Sequence, residues 1–294
     1  MRALFLIVLL LAGCASRLPE LPAWQAPEGR AHADLGRIVE LSSGRDVTPE
    51  ALVARLASVD LLLVGERHDN PDHHALQRWL LAALAERRAQ GAVLLEMLNP
   101  EQQSRMTAVQ RDLAGGQPPA DLPAALAWQE GWDWSLYGEL VSELAAGPAP
   151  VLAANLDPQE IRGIYRDRPA LEGPRATAEP VRRQLLEHIR EAHCGLLPEA
   201  QMPAMLAVQQ QRDRRMAERL AKAPAPAVLL AGAYHVRRDL GVPLHLADLG
   251  SRRSVGVLVL AEVGATVDPG EADFVWFTPA VPAEDHCEAL RQVR

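Results

Sequence analysis

The 294-residue chain is 48% hydrophobic and 23% charged, and its 38 acidic against 30 basic side chains leave a formal charge of -8. That acidic balance, with no basic stripe interleaved with aromatics, argues against a nucleic-acid partner. No apolar run approaches the roughly 20 residues that a bilayer core of ~30 Å requires of a spanning helix.

The chain opens with Arg2, an apolar run over residues 3–12, and then Leu11-Ala12-Gly13-Cys14. A short apolar core ending in small residues directly before a cysteine reads as an export signal with a lipobox. The alternative is an ordinary secretory signal with a chance cysteine. Residues 1–13 are therefore expected to be removed, and Cys14 to carry lipid that ties the protein to a membrane. Two acyl chains at least are needed, since one gives marginal, reversible binding. Ala15, where Asp would stand in an inner-membrane form, is read as an outer-membrane address within the cell envelope. Losing the leader removes one arginine and no acid, so the mature chain carries -9. The other two cysteines, Cys194 and Cys287, form an even pair in an oxidising compartment and are expected to be disulfide-bonded rather than buried as free thiols.

Residues 14–34, with a Pro-rich stretch over 18–27, read as an extended tether. A single domain is expected over 35–294. From residue 60 short apolar runs alternate with helical ones, predicting an α/β fold: a mainly parallel sheet flanked by helices. Strands are predicted at 60–65, 92–96, 150–155, 227–232, 254–261 and 273–277. They lack polar alternation, as strands covered on both faces do. Between the first two, Asn70 as N-cap, Pro71 at the first helical position, Leu76, Leu80 and Leu84 on one face and Gly91 beyond the end define a helix. Two longer helical intervals, 100–147 and 165–222, are expected to form a helical insertion lobe.

In such a sheet the ligand crevice lies outside the carboxyl ends of the strands. The first predicted strand ends in Gly65-Glu66-Arg67-His68, the second at Glu96, the third at Asn155, and the fourth in Gly232-Ala233-Tyr234-His235. Each residue taken singly has an ordinary structural role open to it, but four coincident strand ends mark a site. Arg212 and Asp213 are expected to approach from the helical lobe. There is no Gly-x-Ser-x-Gly elbow and no phosphate-cradling glycine loop. Glu66, His68, Glu96 and His235 are candidates to ligate a divalent metal or to act as acid and base on water. Asp69, Asp72, His73 and His74 add possible ligands, although the last three also suit the exposed first turn of a helix.

Gly65 through His74, Leu95-Glu96-Met97, Ala154-Asn155-Leu156, Gln209 with Arg212-Asp213 and Met216, and Gly232 through His235 to Gly241-Val242-Pro243 together resemble the ChaN-like haem-binding lipoproteins. That group is related to Tiki-type metalloproteases and erythromycin esterases. The resemblance implies haem binding, a haem-linked homodimer, and a role in iron acquisition at the outer membrane, where a haem receptor is a candidate partner. The rival readings are a metal-dependent hydrolase working through the Glu/His cluster and an inert lipoprotein scaffold.

No Cys-x-x-Cys-His attachment motif is present, so an axial ligand would come from Tyr, His or Met. Tyr165 is the first candidate, because it fits the family's Asn-Leu to Tyr-Arg stretch and stands beside Arg162 and Arg166, candidates to meet haem propionates. Tyr234 is its rival, and Tyr137, amid Trp132 and Trp134, reads as packing. Mass spectrometry of membrane-extracted protein is expected to find acylated Cys14 at the mature N-terminus. An unmodified N-terminus at any other residue would contradict the lipobox reading.

Overall fold

The computed structural model describes residues 18–283 together with 287, 288 and 291, so the expected leader and Cys14 lie outside the described residues. A short edge pair, β1 (Ile38–Glu40) and β2 (Arg45–Asp46), comes first, followed by α1 (Pro49–Leu56), β3 (Leu61–Glu66), α2 (Pro71–Ala85) and β4 (Ala92–Leu95). The first long interval holds α3 (Gln103–Ala114), α4 (Leu122–Leu126) and α5 (Trp134–Ala146), and β5 (Val151–Ala153) closes it. The second holds α6 (Pro158–Asp167), α7 (Glu179–Ala192) and α8 (Met202–Lys222). Then come β6 (Ala227–Gly232), the single turn α9 (Ala233–Val236), α10 (Val242–Asp248), β7 (Val255–Glu262) and β8 (Phe274–Thr278).

The eight strands lie in the order β2-β1-β8-β7-β3-β6-β4-β5. The six from β8 to β5 are parallel, while β1 pairs antiparallel with β8 and β2 with β1. All six predicted strands are present, within two residues at each end. β1 and β2 went unpredicted because they are three and two residues long, too short to leave a hydrophobic period.

Alternation across β3 divides the core. Leu62 and Val64 pack with α1, α2, α3 and α5 through Leu52, Leu76, Met106 and Leu140. Leu61 and Leu63 face the other way, onto Met216, Ala217 and Leu220 of α8 and Val242 and Leu246 of α10. The two helical intervals therefore cover opposite faces of the sheet. Only the second adds a lobe with its own small apolar cluster, Leu185 and Ile189 of α7 against Met202 and Leu206 of α8. A single lobe drawn from both intervals does not form, because the odd and even residues of every buried strand each need a helical layer.

The expected tether also differs from expectation where it is described. Residues 18–27 are extended but lie against the body: the Trp79 indole donates to Pro19 O at 2.9 Å, and the amides of Gln25 and Ala26 donate to the Asp72 carboxylate at 2.7 and 2.9 Å. Ala26 is buried, and Leu18 and Trp24 pack on the core. Proline and a scatter of apolar residues describe a strap as well as a free linker, and composition alone does not separate the two.

At the far end of the lobe Cys194 is bonded to Cys287, with Cα atoms 5.6 Å apart and 93 positions between them in sequence. The bond fastens the end of α7 to the chain's C-terminal region. Closing so long a loop stabilises by at most about 4–5 kcal/mol in the chain-entropy picture. Alkylation of unreduced, denatured protein should find no thiol at either position, and Cys194→Ser should lower the urea midpoint. Two reactive thiols, or an unchanged midpoint in the variant, would contradict the bond or its structural weight.

Candidate functional site

The strand ends β3, β6 and β4 stand side by side, and glycines let them approach. A Cβ on Gly65 would come within 2.5 Å of Val236 and 2.9 Å of the Ala233 backbone; one on Gly232 would lie 2.8 Å from His68 Nε2. His68 can therefore lean over the end of β6 only because residue 232 has no side chain.

Two buried carboxylates organise the rim. Glu66 Oε1 accepts from the Tyr137 hydroxyl at 2.6 Å and from His68 Nδ1 at 2.9 Å, and Oε2 accepts from Gln77 Nε2 at 2.5 Å with His74 Nδ1 at 3.3 Å. Glu96 Oε2 accepts the Gly232 amide at 2.8 Å, while Oε1 lies 3.2 Å from His235 Nε2. The other nitrogen of His235, Nδ1, is bonded to Asp213 of α8 and lies 3.3 Å from Gln209 Nε2. Asn155 holds this rim from behind, its Nδ2 donating to Glu96 O at 2.9 Å. His68 bridges the two halves, with Nε2 4.0 Å from Glu96 Oε2.

Charge follows from this pairing. Burial opposes ionisation of Glu66, but hydrogen bonds from His68 and His74 and their charge outweigh it and hold the carboxyl well below the usual range. Burial likewise opposes charge on Glu96, yet His235 draws it down to about 2. For His235 burial disfavours the cation, and Glu96 and Asp213 override it, pushing the imidazolium up to about 10. His68 is raised in the same way, burial being outweighed by Glu66 and Glu96. The two rim carboxylates are thus answered by the His235 cation and by a His68 shifted toward its charged form, with the Tyr137 phenol kept protonated by burial and by Glu66.

The residues that follow in the turn are structural. Asn70 caps α2 and donates to Glu262 and to Pro279 O. Asp72 holds the N-terminal strap, and His73 accepts the Arg67 amide and meets Thr278, with burial pushing its pKa down to about 3. His74 reaches His68 O at 2.9 Å. None of Asp72, His73 and His74 lies on the surface that a first-turn position suggested; all are buried. Nor does a metal centre form: among the described residues no three His, Cys, Asp or Glu side chains converge on a common point. Both oxygens of Glu66 are already engaged by internal donors, whereas Asp213 Oδ2 is buried without one.

A cavity of about 640 Å³ opens over the rim, lined in part by Glu66, His68, His235, Tyr234, His188 and Arg237. Tyr234 is 39% exposed, with the ring of His188 stacked 3.3 Å away and the guanidinium of Arg237 5.6 Å from its ring centre. Tyr165 lies elsewhere, on α6, 36% exposed and with no hydrogen bond among the described residues. Arg166 beside it pairs with Asp167 at 2.6 and 2.7 Å, leaving Arg162 exposed without an ion pair among the described residues. Arg212 does not join the cluster that Asp213 enters. The cluster's members that sequence reasoning passed over are Tyr137 and Gln77. Tyr137 looked like packing because Trp132 and Trp134 flank it in sequence, and Gln77 carried no signal beyond being polar on the apolar side of α2.

A family model described as haem-binding uptake, Tiki superfamily, ChaN, matches residues 52–246. Among solved structures the chain is similar to ChaN of Campylobacter jejuni, a structure described by its cofacial haem binding: 28% identity over 82% of this chain and 95% of that one, with a TM-score of 0.75. An erythromycin esterase mutant in its open conformation matches at 15% identity over 80% of each chain, with a TM-score of 0.45. A toxin effector domain from Vibrio vulnificus matches at 15% identity over 84% of this chain and 41% of that one, with a TM-score of 0.46. Curated proteins gave no match.

The paired charges fix a pH profile of stability. Glu66 and Glu96 are depressed below 4.5, so what they contribute is present above that value and lost as pH falls toward 2. His235 is raised from 6.5, so its contribution is complete below 6.5 and lost as pH rises toward 10. The cluster should stabilise most between about pH 4.5 and 6.5. Urea midpoints of wild type should decline on both sides, and Asp213→Asn should flatten the alkaline limb. Parallel alkaline limbs in the two proteins would contradict the assignment of that limb to His235.

Proposed function

We propose, on the premise that the chain belongs to the ChaN-like haem-binding uptake family of the Tiki superfamily, that it binds ferric haem at the outer face of α6, with Tyr165 as axial ligand. The observation that carries this reading is the state of α6. The helix is well defined, with Asp157 capping it in a reciprocal pair with Glu160, yet none of its residues is buried. Pro158, Ile161, Arg162 and Tyr165 recur at the three- and four-residue spacing of one helical face. An amphipathic helix that leaves its aromatic residue uncovered is suited to a flat apolar ligand.

The tyrosines differ in what they are free to do. Tyr137 is buried and its hydroxyl is committed to Glu66. Tyr234 is held between His188 and Arg237 at the mouth of the rim cavity. Tyr165 has no such commitments, and a phenolate is a hard anionic donor suited to ferric iron, as in haem proteins with a tyrosine ligand. Arg162, four residues before Arg166 and on the Tyr165 face, is the better placed of the two for a propionate, because Arg166 already holds Asp167. The haem iron supplies the Lewis acid; this chain supplies the phenol, the cation beside it and the apolar surface.

One haem on each exposed face would leave much of its own surface in water. Pairing two such faces about a two-fold axis would bury both, and mass action then makes haem promote the dimer. With lipid on Cys14, the protein would carry this cargo at the outer membrane and exchange it with a haem receptor. No helix among the described residues is long and apolar enough to cross a membrane, so the body would depend on the lipid for attachment. The test is a haemin titration of wild type, Tyr165→Phe and Tyr234→Phe, followed by the Soret and charge-transfer bands and by sedimentation. Tyr165→Phe should lose the charge-transfer band, at least ~10-fold in affinity, and haem-linked dimerisation, consistent with losing an interaction worth over ~1.4 kcal/mol. Wild-type behaviour in Tyr165→Phe with loss in Tyr234→Phe would transfer the role to the rim.

A further inference from the structure

Resting on the haem reading above, we propose that Arg212 is the carboxylate-binding arm of the haem site, taking one propionate between α8 and the start of α6. The four arginines of α8 are unequal. Arg214 bonds Glu218 and Glu172 O, Arg215 bonds Glu160 of α6, and Arg219 donates to Ala153 O and Gln103. Arg212 has no hydrogen bond or ion pair among the described residues, although its Nε is shut off from solvent. Arg78, Arg88 and Arg238 also bury an Nε without a partner, but each satisfies another guanidinium nitrogen. Arg212 alone among these has nothing.

Its position says what would answer it. One turn to either side along α8 stand Gln209, which reaches His235, and Arg215, which holds Glu160 of α6. Arg219, two turns on, is fixed at the end of β5. α8 returns to the amino end of β6 five residues after Lys222, so its earlier turns lie at the carboxyl edge of the sheet. Arg212 therefore stands beyond the end of β5, where Asn155 and then α6 begin, between the histidine rim and the helix that carries Tyr165. A guanidinium with a buried, unanswered donor is costly, and its planar fork matches a carboxylate with two parallel bonds. Haem brings two carboxylates; Arg162 on the outer face of α6 and the half-buried Arg212 of α8 offer one cation for each.

Metal-free protoporphyrin IX separates this grip from iron ligation, and its dimethyl ester removes the carboxylate charge while keeping the ring. Binding of both is followed by porphyrin fluorescence in wild type, Arg212→Gln and Arg166→Gln, alongside haemin titrations. Wild type should favour the free acid over the ester by ~10-fold or more; Arg212→Gln should lose most of that preference, and Arg166→Gln should keep it. The urea midpoint of haem-free Arg212→Gln should equal or exceed that of wild type, since the substitution removes a buried donor that has no partner. A preserved acid preference in Arg212→Gln, or a variant that fails to fold, would overturn the role of Arg212 while leaving haem binding intact. A wild type that binds neither haemin nor protoporphyrin would overturn the haem reading and this inference together.

Discussion

A carboxylate cannot remain charged at the end of a buried strand unless something answers it, and the upper edge of this sheet is arranged around that requirement. Glu66 and Glu96 end two strands separated in the sheet by β6, and both are almost wholly enclosed. Their answer is drawn from every layer: Tyr137 from α5, Gln77 and His74 from α2, His235 from the turn after β6, and Asp213 behind it from α8. Because each partner is also a packing element, the electrostatic network ties the helical layer on one face of the sheet to that on the other.

The same requirement bears on what the rim offers a ligand. Both oxygens of Glu66 already accept from internal donors, His235 is held as a cation by Glu96 and Asp213, and His68 is pushed the same way by Glu66 and Glu96. An imidazolium has no lone pair for iron. The haem surface proposed above is one that the network does not claim. α6 follows β5 directly and is attached through its cap and the Glu160 to Arg215 pair, while its outward face keeps Tyr165 and Arg162 free. The fold thus separates a saturated, rigid edge from an adjacent unsaturated face.

Much of this was legible in the sequence, and what was not has identifiable causes. The six parallel strands carry unbroken apolar runs, and the Asn70-Pro71 signal fixes where α2 starts, so the central βαβ unit could be read directly. The convergence of Glu66, His68, Glu96, Asn155 and His235 followed from strand ends alone. Asp213 was expected nearby and Arg212 with it, yet adjacent helical positions point about 100° apart, and only Asp213 enters the cluster. The edge strands were too short to show a period. Tyr137 was hidden because aromatic neighbours and burial look the same whether or not a hydroxyl reaches a carboxylate. The placement of the two helical intervals on opposite faces depends on which face each crossover takes, and no local pattern records that.

The central claim is that haem is held through an exposed phenol and not through the histidines of the rim. Resonance Raman spectroscopy of the ferric haem complex of the wild-type protein addresses it most directly. The account predicts a high-spin iron with enhanced phenolate vibrations. A six-coordinate low-spin spectrum of paired imidazole ligands, without phenolate modes, would contradict it.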